Sequence, residues 1–509
     1  MGNNTADGIK KKGMLAWIER IGNKMPHPVA LFIYITIIVL VASFIFGMLG
    51  TSALHPSTGE VIQVRNLVSL DGLLLFILNF VNNLQTFPVL AIALILGIAS
   101  GVCDRGGLFS TIIKMGLKNV KGNAVVFIIA FIGVLANEAG DAAFILIPPI
   151  VGAIFYGLGR HPLAGVFLGY ATVGGGYSTS ILPTAVDILL TPITISSAQN
   201  LVPDFDMSML GGYYFLFVSG LLCALAASFI TLKVIEPMLG TYKGSSVEGE
   251  DSSVSPEEAK AAKKAGLAVL GFVVLLVAIC IPQNSFLRNP ENGSLLQNSP
   301  LMKGLQFFII CIFLIAGFIY AVSMGKVKSF SQAVDMMSDS VRTMAPFVVL
   351  AVIIGQFLFL FNQSNLAQII AIRGGEFLAG LSVPTQIIIL LFFLLSAFVN
   401  LFIGSGSTKW LLMAPIFVPM LMQLNVHPIF IQSVYRLGDC CTNHLTPLFA
   451  YFAILLTTTQ KYDEKAGMGT LFSAMLPYAG AFILVYAIQI LVWVTFNLPI
   501  GIGGQIWLS

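Results

Sequence analysis

The sequence predicts an all-α polytopic membrane protein with nine transmembrane helices, two re-entrant hairpins and two broken helices arranged as an inverted repeat. Three observations predict it. Of the 509 residues, 57% are hydrophobic and only 10% are Asp, Glu, Lys or Arg, against the roughly 25% charged residues of soluble domains. Two long apolar stretches, 122–191 and 384–457, are interrupted by clusters of Gly, Ser, Thr, Asn, Asp and Pro that simple hydropathy cannot thread. Once each stretch is read as a hairpin followed by a broken span, the basic residues fall overwhelmingly on one side of the bilayer.

Apolar runs of about 20 residues, enough to cross a hydrocarbon core of ~30 Å, occur near 28–50, 86–103, 210–235, 265–282, 304–323, 344–362 and 470–498. These are straightforward spans. The first, from Pro28 to Gly50, is too long for the apolar region of a cleaved signal and has no A-x-A site, so it reads as a retained span. Segments 104–121 and 364–381 carry charges and read as interfacial. Residues 51–70 read as an extracytoplasmic loop, and 243–264, acidic and then basic, as a flexible cytoplasmic linker.

The two interrupted stretches share a plan. Their His-Pro pairs, His161-Pro162 and His427-Pro428, lie 266 residues apart, and at that offset Gly140-Asp141 falls on Gly406-Ser407 and Pro149 on Pro415. With a two-residue shift, Gly174 and Pro183 match Gly438 and Pro447. Both units close on ILLT, at 188 and at 454. Punctuating residues matching in order point to an internal duplication. The hairpins are then 122–158 and 384–425, and the broken spans 162–191 and 428–457. The chain divides into a cytoplasmic N-terminus 1–27, a first repeat 28–235, a joining region 236–303 containing the linker, the span 265–282 and an extracytoplasmic loop, a second repeat 304–498, and a tail 499–509.

Charge tests this threading independently. With the N-terminus in the cytoplasm, 20 of the 26 Lys and Arg residues lie on the cytoplasmic side. Arg65, Arg288, Lys303 and Arg373 lie opposite, while Lys409 and Arg436 fall within the membrane. The first hairpin then enters from the cytoplasm and the second from the other face, as in inverted-repeat transporters. The net charge of +3 therefore reports orientation and not a nucleic-acid partner. Six cysteines, none in a C-x-x-C or His-spaced arrangement, read as reduced small hydrophobes, so no metal site is expected beyond a possible sodium ion.

Breaks inside a bilayer leave backbone N–H and C=O groups that only protein, water or ligand can satisfy. Ions and substrates are expected there. Four polar clusters converge on that zone: Asn137–Asp141, Gly174–Asp187, Asn400–Trp410 and Arg436–Pro447. Ionisable groups at such depth cost ~2.5 to 3.5 kcal/mol each on the insertion scale, which singles out Glu138, Asp141, Asp187, Lys409, Arg436 and Asp439. Asp439 follows Arg436 by three residues, the spacing of a mutual ion pair, whereas Arg436 alternatively offers its planar fork to a substrate carboxylate. Asp187 has no cationic neighbour within a helical turn and reads as a proton carrier, a cation ligand or a helix-break residue. Asp141 either binds an ion or caps the second hairpin arm. Oxygens of Asn137, Asn400, Ser405, Ser407, Thr408, Thr442 and Asn443 suit sodium or a substrate, and Trp410 either stacks on an aromatic ligand or packs. His161 and His427 read as interfacial turn residues, and Pro415, Pro419, Pro428 and Pro447 shape the hairpin and break.

The pieces WIERIGNKMPHPVALFIYI, GDAAFILIPP, GRHPLAG, PTAVDILL, IGSGSTKW and YRLGDCCTNHLTPL, in this order along nearly the whole chain, resemble the p-aminobenzoyl-glutamate transporter (AbgT) family. The resemblance implies a homodimer in the bacterial inner membrane, a fold of nine spans and two hairpins, and secondary transport of p-aminobenzoyl-glutamate or export of sulfonamide antimetabolites, with a proton or sodium gradient as the driving force and no other cofactor. It also implies that Asp187, Asn400, Trp410, Pro428, Arg436 and Asp439 form the pathway for a small anionic aromatic substrate. Gly140 departs from a Ser expected in some members. Two other readings compete: a sodium-coupled dicarboxylate carrier of the same architecture, and an intramembrane hydrolase with Ser407 as nucleophile and His444 as base. The second lacks any motif fixing those residues together, so the chain is not expected to be an enzyme.

Overall fold

The computed structural model describes residues 28–54, 59–87, 90–117, 125–136, 141–179, 185–242, 254–295, 299–380, 383–403, 405–446 and 451–508. They are predominantly helical. Helix α1 (Pro28–Met48) is followed by a small antiparallel hairpin of β1 (Ser52–Leu54) and β2 (Val61–Gln63). Helix α2 (Leu70–Gln85), capped by Ser69, whose side chain accepts from Gly72 N, was not anticipated from the sequence. Its polar residues Asn79, Asn82 and Asn83 break the apolar run that hydropathy looks for. The strand pair likewise replaces what reads as a featureless loop over 51–70.

Helices α3 (Leu90–Gly106) and α4 (Leu108–Leu117) lead into α5 (Val125–Leu135) and α6 (Asp141–Gly157), the two helices lying where the first hairpin is expected. Its tip, 137–140, lies outside the described residues. Then come α7 (Pro162–Gly176), α8 (Ala185–Ala198) and α9 (Tyr213–Ile230), which continues through a π-helical turn at Thr231–Ile235 to Leu239. Helix α10 (Pro256–Cys280) starts well before the expected span 265–282. A capping box, Ser255 with Glu258, and Pro256 at the first helical position set that start, so 256–264 is helix where a flexible linker was expected.

The later helices are α11 (Leu305–Ser323), α12 (Phe330–Thr343), α13 (Ala345–Gln363), α14 (Leu366–Gly380), α15 (Thr385–Asn400), α16 (Gly406–Met422), α17 (Pro428–Cys440), α18 (Phe452–Gln460) and α19 (Met468–Phe496). Helices α13 and α14 meet at 64°. Asn365 makes the corner in the left-handed region, at φ 60°, which Asn tolerates better than a branched residue.

Five described helices are long and apolar enough to cross a membrane, or six if the bent α13–α14 pair counts as one span. Helices α1, α2 and α10 turn large apolar side chains such as Ile38, Leu78 and Leu267 outward, the surface expected where hydrocarbon and not water is the neighbour. The broken elements sit inside: α7 and α17 are buried along their whole length. Helix α7 packs on α5, α6 and α9, while α17 packs on α15, α16 and α8. Each opens with the same cap, in which Nδ1 of His161 accepts from Leu163 N at 3.3 Å and Nδ1 of His427 from Ile429 N at 3.2 Å. Desolvation pushes both imidazoles toward the neutral form such an acceptor requires, His427 down to about 4. Pro162 and Pro428 occupy the position whose N–H a helix leaves unused.

Candidate functional site

The last turn of α7 and the turn that follows α17 lie against each other. Gly174 makes the contact possible, since a Cβ there would stand 3.1 Å from the His444 Cβ and 3.2 Å from its backbone N. Asn443 Nδ2 donates to Gly174 O at 3.4 Å, and Tyr486 from α19 donates to Gly175 O at 2.9 Å. Backbone groups released by the breaks are thus satisfied by side chains brought from elsewhere, as burial demands.

Four ionisable groups occupy this crossing, each at most 4% exposed: Asp187, Lys409, Arg436 and Asp439. Arg436 Nη1 pairs with Asp187 Oδ1, and its Nε donates to Ser178 O at 2.8 Å. Lys409 Nζ lies 2.5 Å from Asp439 Oδ1, in ion-pair contact without hydrogen-bond alignment. Ser178 Oγ donates to Asp439 Oδ2 at 2.9 Å. The pairing therefore differs from the sequence expectation in both parts: Asp439 is partnered by Lys409 and not by Arg436, and Asp187 has a cation after all. Local spacing cannot reveal either contact, because Arg436 and Asp187 are 249 residues apart. Asp187 stands in the first turn of α8, where the helix dipole favours an anion. Asp439 is the penultimate residue of α17, where the dipole disfavours one, and Lys409 with Ser178 offsets that.

The end of α15 is knitted into the same network. Asn400 Oδ1 accepts from Lys409 Nζ at 2.5 Å, while its Nδ2 donates to Thr442 Oγ1 and Asn443 Oδ1, both at 2.9 Å. Thr442 and Thr446 donate to the carbonyls of Ala397 and Leu401. Ser405 caps α16 by accepting from Thr408 N at 3.4 Å, and donates to Thr408 Oγ1 at 2.9 Å. Ser407 is half-buried.

Trp410 is fully buried. Its ring stacks on Tyr435 at 4.3 Å and 27°, and its Nε1 donates to Thr194 Oγ1 at 2.9 Å; Thr194 in turn donates to Gln432 Oε1 at 2.5 Å. Of the two roles open to Trp410, the structure displays packing. Tyr435 also donates to Gly406 O at 2.5 Å, holding the start of α16. Pro428 opens α17 at the opposite end from Arg436. Asn137 lies outside the described residues, as do Glu138, Gly140, Pro183 and Pro447; Asp141 opens α6, but its side chain is not described. Ser407 and His444 make no hydrogen bond to each other, since both ring nitrogens of His444 lack a partner.

Ser178, Thr194, Gln432 and Tyr435 were not singled out from the sequence. Ser178 lies inside the flagged cluster 174–187, but Thr194, Gln432 and Tyr435 sit in ordinary helical context, and only the crossing gives them meaning. Helices α8 and α16, joined by the Trp410–Thr194 hydrogen bond, also border a cavity of about 230 Å³. Ile193 and Leu411, each adjacent in sequence to one partner of that bond, line it together with Asn83, Ser197, Asn362 and Pro415.

Residues 13–508 match the model of the AbgT putative transporter family. The p-aminobenzoyl-glutamate transport protein of Escherichia coli (strain K12) is 34% identical over 493 residues, 96% of either chain. The YdaH transporter of Alcanivorax borkumensis, solved as a crystal structure and described as having an unusual topology, superposes with a TM-score of 0.88 at 33% identity, covering 94% of this chain and all of that one. MtrF of Neisseria gonorrhoeae, described as illuminating a class of antimetabolite efflux pumps, gives 0.90 at 33% identity, covering 97% of this chain and all of that one.

Proposed function

Because this chain belongs to the AbgT putative transporter family, we propose that it is a secondary active transporter of p-aminobenzoyl-glutamate, of sulfonamide antimetabolites, or of both, driven by a proton or sodium gradient across the bacterial inner membrane. The observation that carries this is the buried crossing of two interrupted helices, where two ion pairs and an amide–hydroxyl network converge. Charges at that depth are costly even when paired, and those that a membrane protein keeps mark paths for solute or ion. The proposed pathway comprises Asp187, Asn400, Trp410, Pro428, Arg436 and Asp439, with Arg436 as the group that recognises a substrate carboxylate and the cavity bordered by α8 and α16 as room for an aromatic ring. Sodium, where it couples transport, is assigned to the oxygens of Asn137 and Asp141 at the first tip, whereas Ser405, Ser407, Thr408 and Asn443, the ligands that the sequence offers in the second repeat, surround a Lys409 ammonium.

The proposed architecture is nine spans and two hairpins in inverted repeats, working as a homodimer with a cytoplasmic N-terminus. Packing supports the duplication: α5 lies on α7 as α15 lies on α17, α4 on α6 as α14 on α16, and α7 on α9 as α17 on α19. The second arm of each hairpin also packs on the second half of the other repeat's broken span, α16 on α8 and α6 on α18. This exchange places both breaks at one interface, as midplane sites in inverted-repeat transporters require.

Proteoliposome flux of radiolabelled p-aminobenzoyl-glutamate, under separately imposed pH and sodium gradients, tests the reading. Gradient-driven flux that unlabelled p-aminobenzoyl-glutamate competes away is expected. Absence of flux of this solute and of sulfonamides under either gradient, with succinate transported instead, would overturn it in favour of a dicarboxylate carrier.

A further inference from the structure

Lys409 is the least expected member of the crossing. It stands in the first turn of α16, where the helix presents its positive end and a cation is disfavoured, and its side chain is fully buried. The ammonium sits between the two kinds of oxygen that a small hard cation takes. One is the carboxylate Oδ1 of Asp439, at 2.5 Å, and the other the amide Oδ1 of Asn400, at 2.5 Å. The Tyr435 ring centroid lies 5.9 Å away.

Among the described residues, four more oxygens near Lys409 already hold hydrogen-bond partners. Asp439 Oδ2 accepts from Ser178 and abuts the start of α16, where a Cβ on Gly406 would stand 2.8 Å from it. Asn443 Oδ1 accepts from Asn400, Thr442 Oγ1 accepts from Asn400 while donating to Ala397 O, and Thr408 Oγ1 accepts from Ser405. Charge is matched too: Arg436 pairs with Asp187, and Lys409 with Asp439. The residues present do not fit a sodium ion at this position, since the one carboxylate able to bind it already holds an ammonium.

We propose that the Lys409 ammonium is a tethered cation standing where a coupling sodium ion would sit at the second break, so that this half of the protein binds no sodium. Lys409 is carried on α16 and bridges it to α15 and α17. The tether makes the cation a permanent part of α16, so its charge stays with that helix instead of being taken up from one side and released on the other. The significance for transport rests on the function proposed above; the ion occupancy itself does not.

The test is sodium-specific stabilisation of the purified full-length protein, read as the thermal unfolding midpoint in NaCl against choline chloride at equal ionic strength, with no substrate present. A ligand that binds only the folded form raises the folded-to-unfolded ratio about tenfold at about ten times its Kd. The wild type is expected to show no sodium-specific shift that Asp439→Asn removes. Lys409→Met, which leaves Asp439 without its cation, is expected to acquire a saturable sodium-specific shift that Lys409→Met/Asp439→Asn lacks. A sodium-specific shift in the wild type that disappears in Asp439→Asn would overturn the proposal, and so would a folded Lys409→Met with no sodium-specific shift. If Lys409→Met does not fold, the comparison of wild type with Asp439→Asn decides alone. Failure of the flux assay would refute the transporter reading and leave this measurement untouched.

Discussion

Replacing Arg436 with Met removes the guanidinium while keeping much of the side chain's volume, and it takes a donor from two buried acceptors at once, Asp187 Oδ1 and Ser178 O. Breaking a buried ion pair by deleting one partner costs ~3 to 5 kcal/mol, and an orphaned buried carbonyl adds roughly 1 to 3 kcal/mol. The single variant should therefore lose at least about 3 kcal/mol of stability. Asp187→Asn combined with Arg436→Met removes the stranded charge, so the double variant should recover a large part of that loss, because a buried pair replaced as a unit is often close to neutral. Asp439→Asn combined with Arg436→Met should recover little. Among the described residues Arg436 and Asp439 share the bridging Ser178, and residues coupled through a shared partner interact by ~0.5 to 3 kcal/mol, here expected near the lower end. Denaturant or thermal unfolding of the detergent-solubilised single and double variants measures both cycles. If the Arg436–Asp439 coupling equals or exceeds the Arg436–Asp187 coupling, the i,i+3 pair inferred from local spacing is the real one and the crossed pairing is wrong.

Three further outcomes follow from the geometry. Trp410→Phe keeps the stack on Tyr435 but loses the hydrogen bond to Thr194, so it should cost ~1 kcal/mol, whereas Trp410→Ala should cost ~3 to 5 kcal/mol; equal unfolding midpoints for the two variants would dismiss the hydrogen-bond and stacking account. Gly174→Ala pushes a methyl against His444 where the two breaks touch, and should cost ~1 to 3 kcal/mol by overpacking while slowing flux, with no effect on either measure counting against a close crossing. His427 is held near 4 in the folded chain against an ordinary 6.5, so the unfolded chain binds the extra proton first. The stability this histidine contributes should be intact above about pH 6.5 and decline as pH falls toward 4; His427→Asn, which caps without titrating, should flatten the pH profile of the unfolding midpoint across that window, and an unchanged slope would assign it to other groups.

Much of the fold was legible because bilayer constraints act locally. Hydropathy located the cores of α1, α9, α11, α13 and α19, since a spanning helix must be apolar over about 20 consecutive residues whatever its neighbours. The His-Pro pairs marked the starts of α7 and α17, where an acceptor side chain followed by a ring that cannot donate is a local instruction. Helix α2 escaped because its one buried asparagine faces a partner supplied by α13: Asn83 donates to Gln356, which donates back to Phe80 O. The start of α10 escaped for the opposite reason, its charged first turns resembling a linker until the capping box is recognised.

Part of the crossing was also readable from the sequence. Asp187, Asn400, Lys409, Trp410, Arg436 and Asp439 stood out as polar, charged or bulky groups beside breaks, because each must be compensated somewhere in a low-dielectric interior. Who compensates whom was decided only by tertiary structure. The i,i+3 rule brings Arg436 and Asp439 near each other along α17 but says nothing of α8 and α16, which arrive from more than 200 residues upstream and from the helix just before it. Their side chains lie closer to the charges than the residues' own helical neighbours do. The cation for each carboxylate was therefore chosen by distance across helices, a quantity that no local spacing in the sequence contains.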